Sequence, residues 1–142
     1  MITVYRAVRA PYGLEDMIFD RMEIRESDLI LHLPEGLIRN EEPYQTVSGT
    51  LTLRKIIPES CFVQLLSPFG MLGDFTGQKI ELTDFLERFS WRDFEISRQC
   101  FGRNCMILRG TFARFNDSDL FVEAMIEISH QGDIIYDTEE LQ

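Results

Sequence analysis

The stretch Asp119-Leu120-Phe121-Val122-Glu123-Ala124-Met125-Ile126-Glu127-Ile128-Ser129-His130 decides the fold. Leu120, Val122, Ala124, Ile126 and Ile128 occupy every second position, with Asp119, Glu123, Glu127 and Ser129 between them. A repeat of two is the side-chain period of a strand, so the two sets point to opposite faces. One apolar and one charged face is the pattern of an antiparallel strand with only one side on the core. On the C-terminal side, Gln131-Gly132-Asp133 turns the chain back into Ile134-Ile135-Tyr136. On the N-terminal side, Asn116-Asp117-Ser118 forms a hairpin loop to a strand at 104–115, which is preceded by another at 93–100. These segments predict a C-terminal meander of four strands, 93–100, 104–115, 119–130 and 134–137.

The same period continues toward the N-terminus. Thr3 to Arg9 reads as a first strand. Leu14, Met17 and Ile18 have helical spacing, enough for one or two turns beside Gly13. Met22 and Ile24, a turn at Glu26-Ser27, and Leu29, Leu31 and Leu33 predict a hairpin. Pro34 to Thr46 carries turn residues and Glu41-Glu42, the marks of a surface loop. Val47 to Ile57 and Cys61 to Leu66 read as a second hairpin turned by Pro58-Glu59-Ser60. One segment has a helical stripe: Leu82, Phe85, Leu86 and Phe89 at i, i+3, i+4 and i+7 predict a helix at 82–90. Thr83 is placed to cap it, and Asp84 suits the positive end of its dipole. The expected architecture is α+β and mostly β. Seven to eight antiparallel strands in a curved sheet or partly closed barrel, with one main helix, form a single domain over 1–142.

Eleven Phe, four Tyr and one Trp supply a core in a chain of 142 residues, a length that needs no metal or disulfide staple. Three cysteines, Cys61, Cys100 and Cys105, are an odd count that suits a reducing compartment. With no secretory signal pattern and no apolar run near the roughly 20 residues of a membrane span, the expected location is the cytoplasm. The turn at Cys100–Cys105 has two possible registers. A Gly102-Arg103 loop sets the cysteines opposite each other, close enough for a disulfide. A Gly102-Arg103-Asn104 loop sets Phe94 opposite Phe112 and Cys100 opposite Met106. The second collects Phe94, Ile96, Cys100, Met106, Leu108 and Phe112 on one face and leaves Cys105 on the other. Burial of a face fixes register, so the second is expected, with free thiols.

The net charge of −10 repels phosphate backbones and anionic lipid surfaces, which excludes nucleic acid and membrane as expected partners. His32 and His130 lie far apart, and the Cys-x4-Cys spacing has no second pair, so no metal site and no cofactor are expected. His32 should point to solvent, away from Leu31 and Leu33, and His130 should serve as a hydrogen-bonding residue at a strand end. Asn116-Asp117-Ser118-Asp119 resembles part of a calcium loop, but Phe121 stands where the turn glycine belongs. No nucleophile elbow is present, and no motif points to a catalytic residue or to a family.

Two features remain as candidate binding surfaces. Phe69, Met71, Leu72 and Phe75 lie in a glycine-rich loop, where they close one end of the core, form a contact, or cover a ligand cavity. After Arg114 no Lys or Arg occurs, while eight Asp and Glu follow from Asp117 onward. On the charged face of 119–130, an Asn116-Asp117-Ser118 loop pairs Phe121 with Ala113, Glu123 with Thr111, Met125 with Arg109 and Glu127 with Ile107. Arg109 then reaches Glu123 or Glu127 and holds the two together, leaving Phe121 and Met125 as apolar contacts in a net-negative surface. The expectation is a non-enzymatic protein-binding module for a basic partner, of the inhibitor or immunity type. The rivals are a carrier of a small apolar ligand on a closed sheet and a subunit that self-associates, for instance as a homodimer. A large enclosed apolar pocket favours the carrier; a filled core with an exposed face favours the binder.

Overall fold

Alternate residues from Val122 to Ser129 are buried, the pattern expected from their spacing. The computed structural model describes residues 1–5, 12–39, 46–68, 78–115 and 121–139. Among them are β1 (Ile2–Tyr5), β2 (Tyr12–Gly13), β3 (Ile18–Phe19), β4 (Arg21–Arg25), β5 (Asp28–Arg39) and β6 (Thr46–Leu53). There follow β7 (Phe62–Pro68), β8 (Gln78–Glu81), the helix α1 (Leu82–Arg88), β9 (Trp91–Gly102), β10 (Cys105–Phe115), β11 (Val122–Ser129) and β12 (Ile134–Glu139). The strands form two antiparallel sheets, one curled as a half-barrel, so the chain is mostly β with one helix. The first sheet runs β1-β12-β6-β5-β2, with β4 also on β5; the second runs β3-β9-β10-β11-β7-β8. The buried face of each contributes to one apolar core, which includes Leu31, Leu51 and Tyr136 from the first and Phe94, Leu108 and Ile126 from the second.

The hairpin of β4 and β5 turns at Glu26-Ser27 as expected, with Glu26 at φ 59°. Other local expectations are revised. Pro34 to Arg39 belongs to β5 and is not loop; its register against β6 shifts between Leu33 and Leu37, where Gly36 takes φ 121°. Residues 40–45 and the loop carrying Phe69, Met71, Leu72 and Phe75 lie outside the described residues. The segment at Leu14 to Ile18 is not helical. Asp16 takes φ 66°, its N–H donates to the Ile96 carbonyl at 2.7 Å, and Ile18-Phe19 pairs with β9. An edge strand with open backbone groups offers this segment more bonds than an isolated helical turn would.

The expected hairpin of 47–57 with 61–66 does not form. β6 pairs with β5 and β12 in the first sheet, whereas β7 pairs with β11 and β8 in the second. Pro58–Ser60 is a 3-10 turn on the way between them. The four-strand meander likewise keeps only β9, β10 and β11, because β12 crosses to the first sheet and lies between β1 and β6. These two crossings run side by side: Ile56 bridges His130, and the Arg54 and Gly132 backbones exchange bonds with Asp133 and Arg54.

The helix is shorter than expected, ending before Phe89, which is already extended. Thr83 does not cap it. Glu81 is the cap residue without a side-chain bond, and the Leu82 N–H donates to the Cys61 carbonyl at 2.8 Å. The apolar stripe is buried at Leu82 and Phe85 and partly covered at Leu86 and Phe89. Phe85 stacks on Phe112 with centroids 5.5 Å apart, which fixes the helix to the core side of the second sheet. Around this contact gather Phe19, Phe89, Trp91, Phe94 and Phe115.

Candidate functional site

The register of β10 with β11 brings Arg109 opposite Met125, Thr111 opposite Glu123 and Ile107 opposite Glu127. These are the expected pairs, and the register keeps Leu108, Phe112, Ala124 and Ile126 on the buried face. Arg109 donates from both Nε and Nη2 to one oxygen of Glu123, at 3.1 and 2.7 Å. It does not tie Glu123 to Glu127. Glu127 meets Lys79 of β8 at 3.7 Å, across the intervening strand β7. The Lys79 ammonium also stands 4.2 Å over the Phe62 ring, a cation–π contact.

The pairings extend the outward face into rows. One row reads Arg98, Arg109, Met125, Gln64, Lys79, and the next reads Cys100, Ile107, Glu127, Phe62, Glu81. Glu95, Thr111 and Glu123 form a third. The surface is therefore a mosaic of charge in which Lys79, Arg98 and Arg109 oppose Glu81, Glu95, Glu123 and Glu127. Three cations against four carboxylates leave these rows net negative by one charge. Phe62, Ile107 and Met125 are half-buried apolar residues within it, and Phe121, just before β11, is 46% exposed. The helix packs on the opposite face through Phe112 and does not cover them. Phe62, Gln64 and Lys79 escaped the sequence reading. The alternation of Phe62, Gln64 and Leu66 with Cys61, Val63 and Leu65 marks a strand, but nothing local says that it lies beside β11.

The hairpin of β9 and β10 differs at its tip. Its loop is Arg103-Asn104, with Asn104 at φ 61°, and Cys100 faces Ile107 instead of Met106. Phe94 does face Phe112, because Ser97 is an extra residue that shifts the register between Arg109 and Gly110. Its hydroxyl donates to the Arg109 carbonyl at 2.9 Å and fills the bulge. The slip turns Cys100 outward and exposes it, on the same face as Cys105 and Ile107. All three cysteines are free. Burial pushes the Cys61 thiol up, against a bond from its Sγ to the Ser129 carbonyl; burial and then Glu127 push Cys105 up. Thiols held protonated in this way are poor nucleophiles.

On the outward face of the first sheet, a groove of about 530 Å³ is lined by Asp20, Arg21, His32, Thr50, Asp137 and Glu139, among others. Beside it His32 points outward and is 2.9 Å from Glu23, whose carboxyl is held below its ordinary value by that hydrogen bond and by Arg21 and Arg25. A second recess of about 350 Å³ lies at Ser90, Trp91, Arg92 and Arg114. His130 is buried, and its Nδ1 donates to the Gly132 carbonyl at 2.8 Å. Among the described residues, no group of three or more His, Cys, Asp and Glu is placed to hold a metal, and no helix is long and apolar enough to cross a membrane. No protein-family model matches the chain, and neither a curated protein nor a solved structure does.

Proposed function

We propose that the chain is a non-enzymatic protein-binding module that docks its partner on the outward face of β7, β10 and β11. The observation that carries this reading is the exposed Phe121 at one end of a sheet face that also carries half-buried Met125, Ile107 and Phe62 and that the helix leaves uncovered. Aromatic and aliphatic anchors framed by paired charges are the composition of a docking patch with a polar rim. The partner is basic. The local mosaic sets register, while the net charge of −10 supplies the long-range attraction that raises the encounter rate. An inhibitor or immunity-type role in a reducing compartment such as the cytoplasm fits free thiols and an acidic surface. A carrier is less favoured, because the two cavities described are lined largely by polar and charged residues.

The test is site-directed photo-cross-linking. A photoreactive residue at Phe121 should give one discrete protein adduct in extract of the source cells, weakened by Met125→Glu and by added salt. The same residue at Arg25, exposed in the first sheet, should not. Equal adducts from both positions, or none from Phe121, would sink the reading. An adduct of the chain with itself, together with concentration-dependent sedimentation, would replace it with self-association.

A further inference from the structure

We propose that the recess framed by Ser90, Trp91, Arg92 and Arg114 binds the oxyanion group, phosphate or carboxylate, of a small ligand between its two guanidinium groups. This site is separate from the docking face and does not rest on it. Three observations converge. Arg92 and Arg114 are direct cross-strand partners, which places their Cβ atoms about 5 Å apart, and like charges so opposed destabilise a sheet. The pair also frames a recess of about 350 Å³, whose wall is completed by Ser90 and Trp91.

The third observation is the backbone at Asp93, which takes φ 48°, a left-handed conformation costly for a residue with a side chain. A regular strand would put Arg92 on the buried face of Phe94 and Trp91 on the other. With Asp93 turned, Trp91 packs on Phe19 and Phe112 at 5.7 and 5.3 Å, and Arg92 is exposed. The strain thus turns Arg92 away from the core toward the recess it lines, with the Trp91 ring anchored on the core side, and strain of this kind collects at ligand sites. Arg114 and Ser90 also engage other neighbours; a guanidinium with five donors can serve both a neighbour and a ligand. Planar forks of this kind match phosphate and carboxylate oxygens two at a time.

Trp91 is the chain's one tryptophan, so its fluorescence reports the recess without a label. The intact protein is titrated at fixed ionic strength with inorganic phosphate, phenyl phosphate and benzoate. At least one should give a saturable change and raise the melting temperature; phenyl phosphate against benzoate then tells a phosphate site from a carboxylate site. Arg92→Gln and Arg114→Gln should each weaken that response about tenfold or more, the scale of a lost charged hydrogen bond. Arg114→Lys, which keeps charge without the fork, should fall between, and Arg98→Gln should leave the response unchanged. Melting curves identify any variant that fails to fold, and the Lys variant then carries the comparison. No saturable response up to about 10 mM, a range covering affinities of millimolar order, would overturn the proposal. So would an equal loss in Arg98→Gln, which would mark general charge screening.

Discussion

A methyl group at Gly110 would sit 2.0 Å from the Glu95 carbonyl oxygen and 2.8 Å from the Phe94 ring. Glycine is required there because the bulge at Ser97 brings the β9 backbone onto β10. Since the obstacle is backbone, Gly110→Ala should cost about 3 kcal/mol or more, at the upper end of overpacking; urea unfolding measures it, and a loss below about 1 kcal/mol would contradict the contact. Glu23 makes a different prediction. His32 first, then Arg21 and Arg25, hold its carboxyl below the ordinary 4.5. A lowered folded-state value means that the stabilisation is complete above about pH 4.5 and lost as pH falls through that lower value. Glu23→Gln should therefore flatten the fall in melting temperature below pH 4.5 and leave the slope above it unchanged. At this scale the sequence was informative wherever one residue faced another in an uninterrupted ladder, as Arg109 does Met125, which puts it diagonal to Glu123. It failed at Cys100, because one extra residue at Ser97 reverses every side chain beyond it and no local pattern marks the insertion.

At the scale of elements, periodicity revealed β11, the hairpin of β4 with β5 and the helix, since each signal lies within a dozen consecutive residues. Phe85 shows what the helical stripe is for: it is fully buried and stacks on Phe112 and Phe89. Phe85→Ala should cost about 3–5 kcal/mol in chemical denaturation; a cost under about 1 kcal/mol would mean that the helix is not anchored through this ring. Partner choice was not legible. Val47 to Leu53 and Cys61 to Leu65 each alternate as strands should, and a proline between them invites a hairpin. Yet β6 leaves one sheet and β7 enters another, because β11 and β12 make the same crossing next to them and satisfy the backbone there. The candidate site shared this limit. Its residues on β10 and β11 were visible, whereas Phe62 and Lys79 came from strands brought alongside by topology.

For the molecule as a whole, composition and alternation settled the class, mostly antiparallel β with one helix, while the order of strands rested on contacts between distant residues. The position of β12 between β1 and β6 is the extreme case, with Ile2 opposite Asp137 and Ile134 opposite both Tyr5 and Leu53. On the ribosome, some 129 residues separate Tyr5 from Ile134, about 6 to 26 s of synthesis at ordinary elongation rates. Throughout that interval the first strand has no neighbour and β6 has an open edge, the kind of template on which nascent chains stick to one another. A stop codon after Asp133 should accordingly send the shortened product to the insoluble fraction, although the second sheet and the helix are intact in sequence. Soluble, cooperatively unfolding product would show that the first sheet closes without its final strand. If it does not, translation speed and chaperone supply, more than the stability of the finished protein, set how much of it a cell can make.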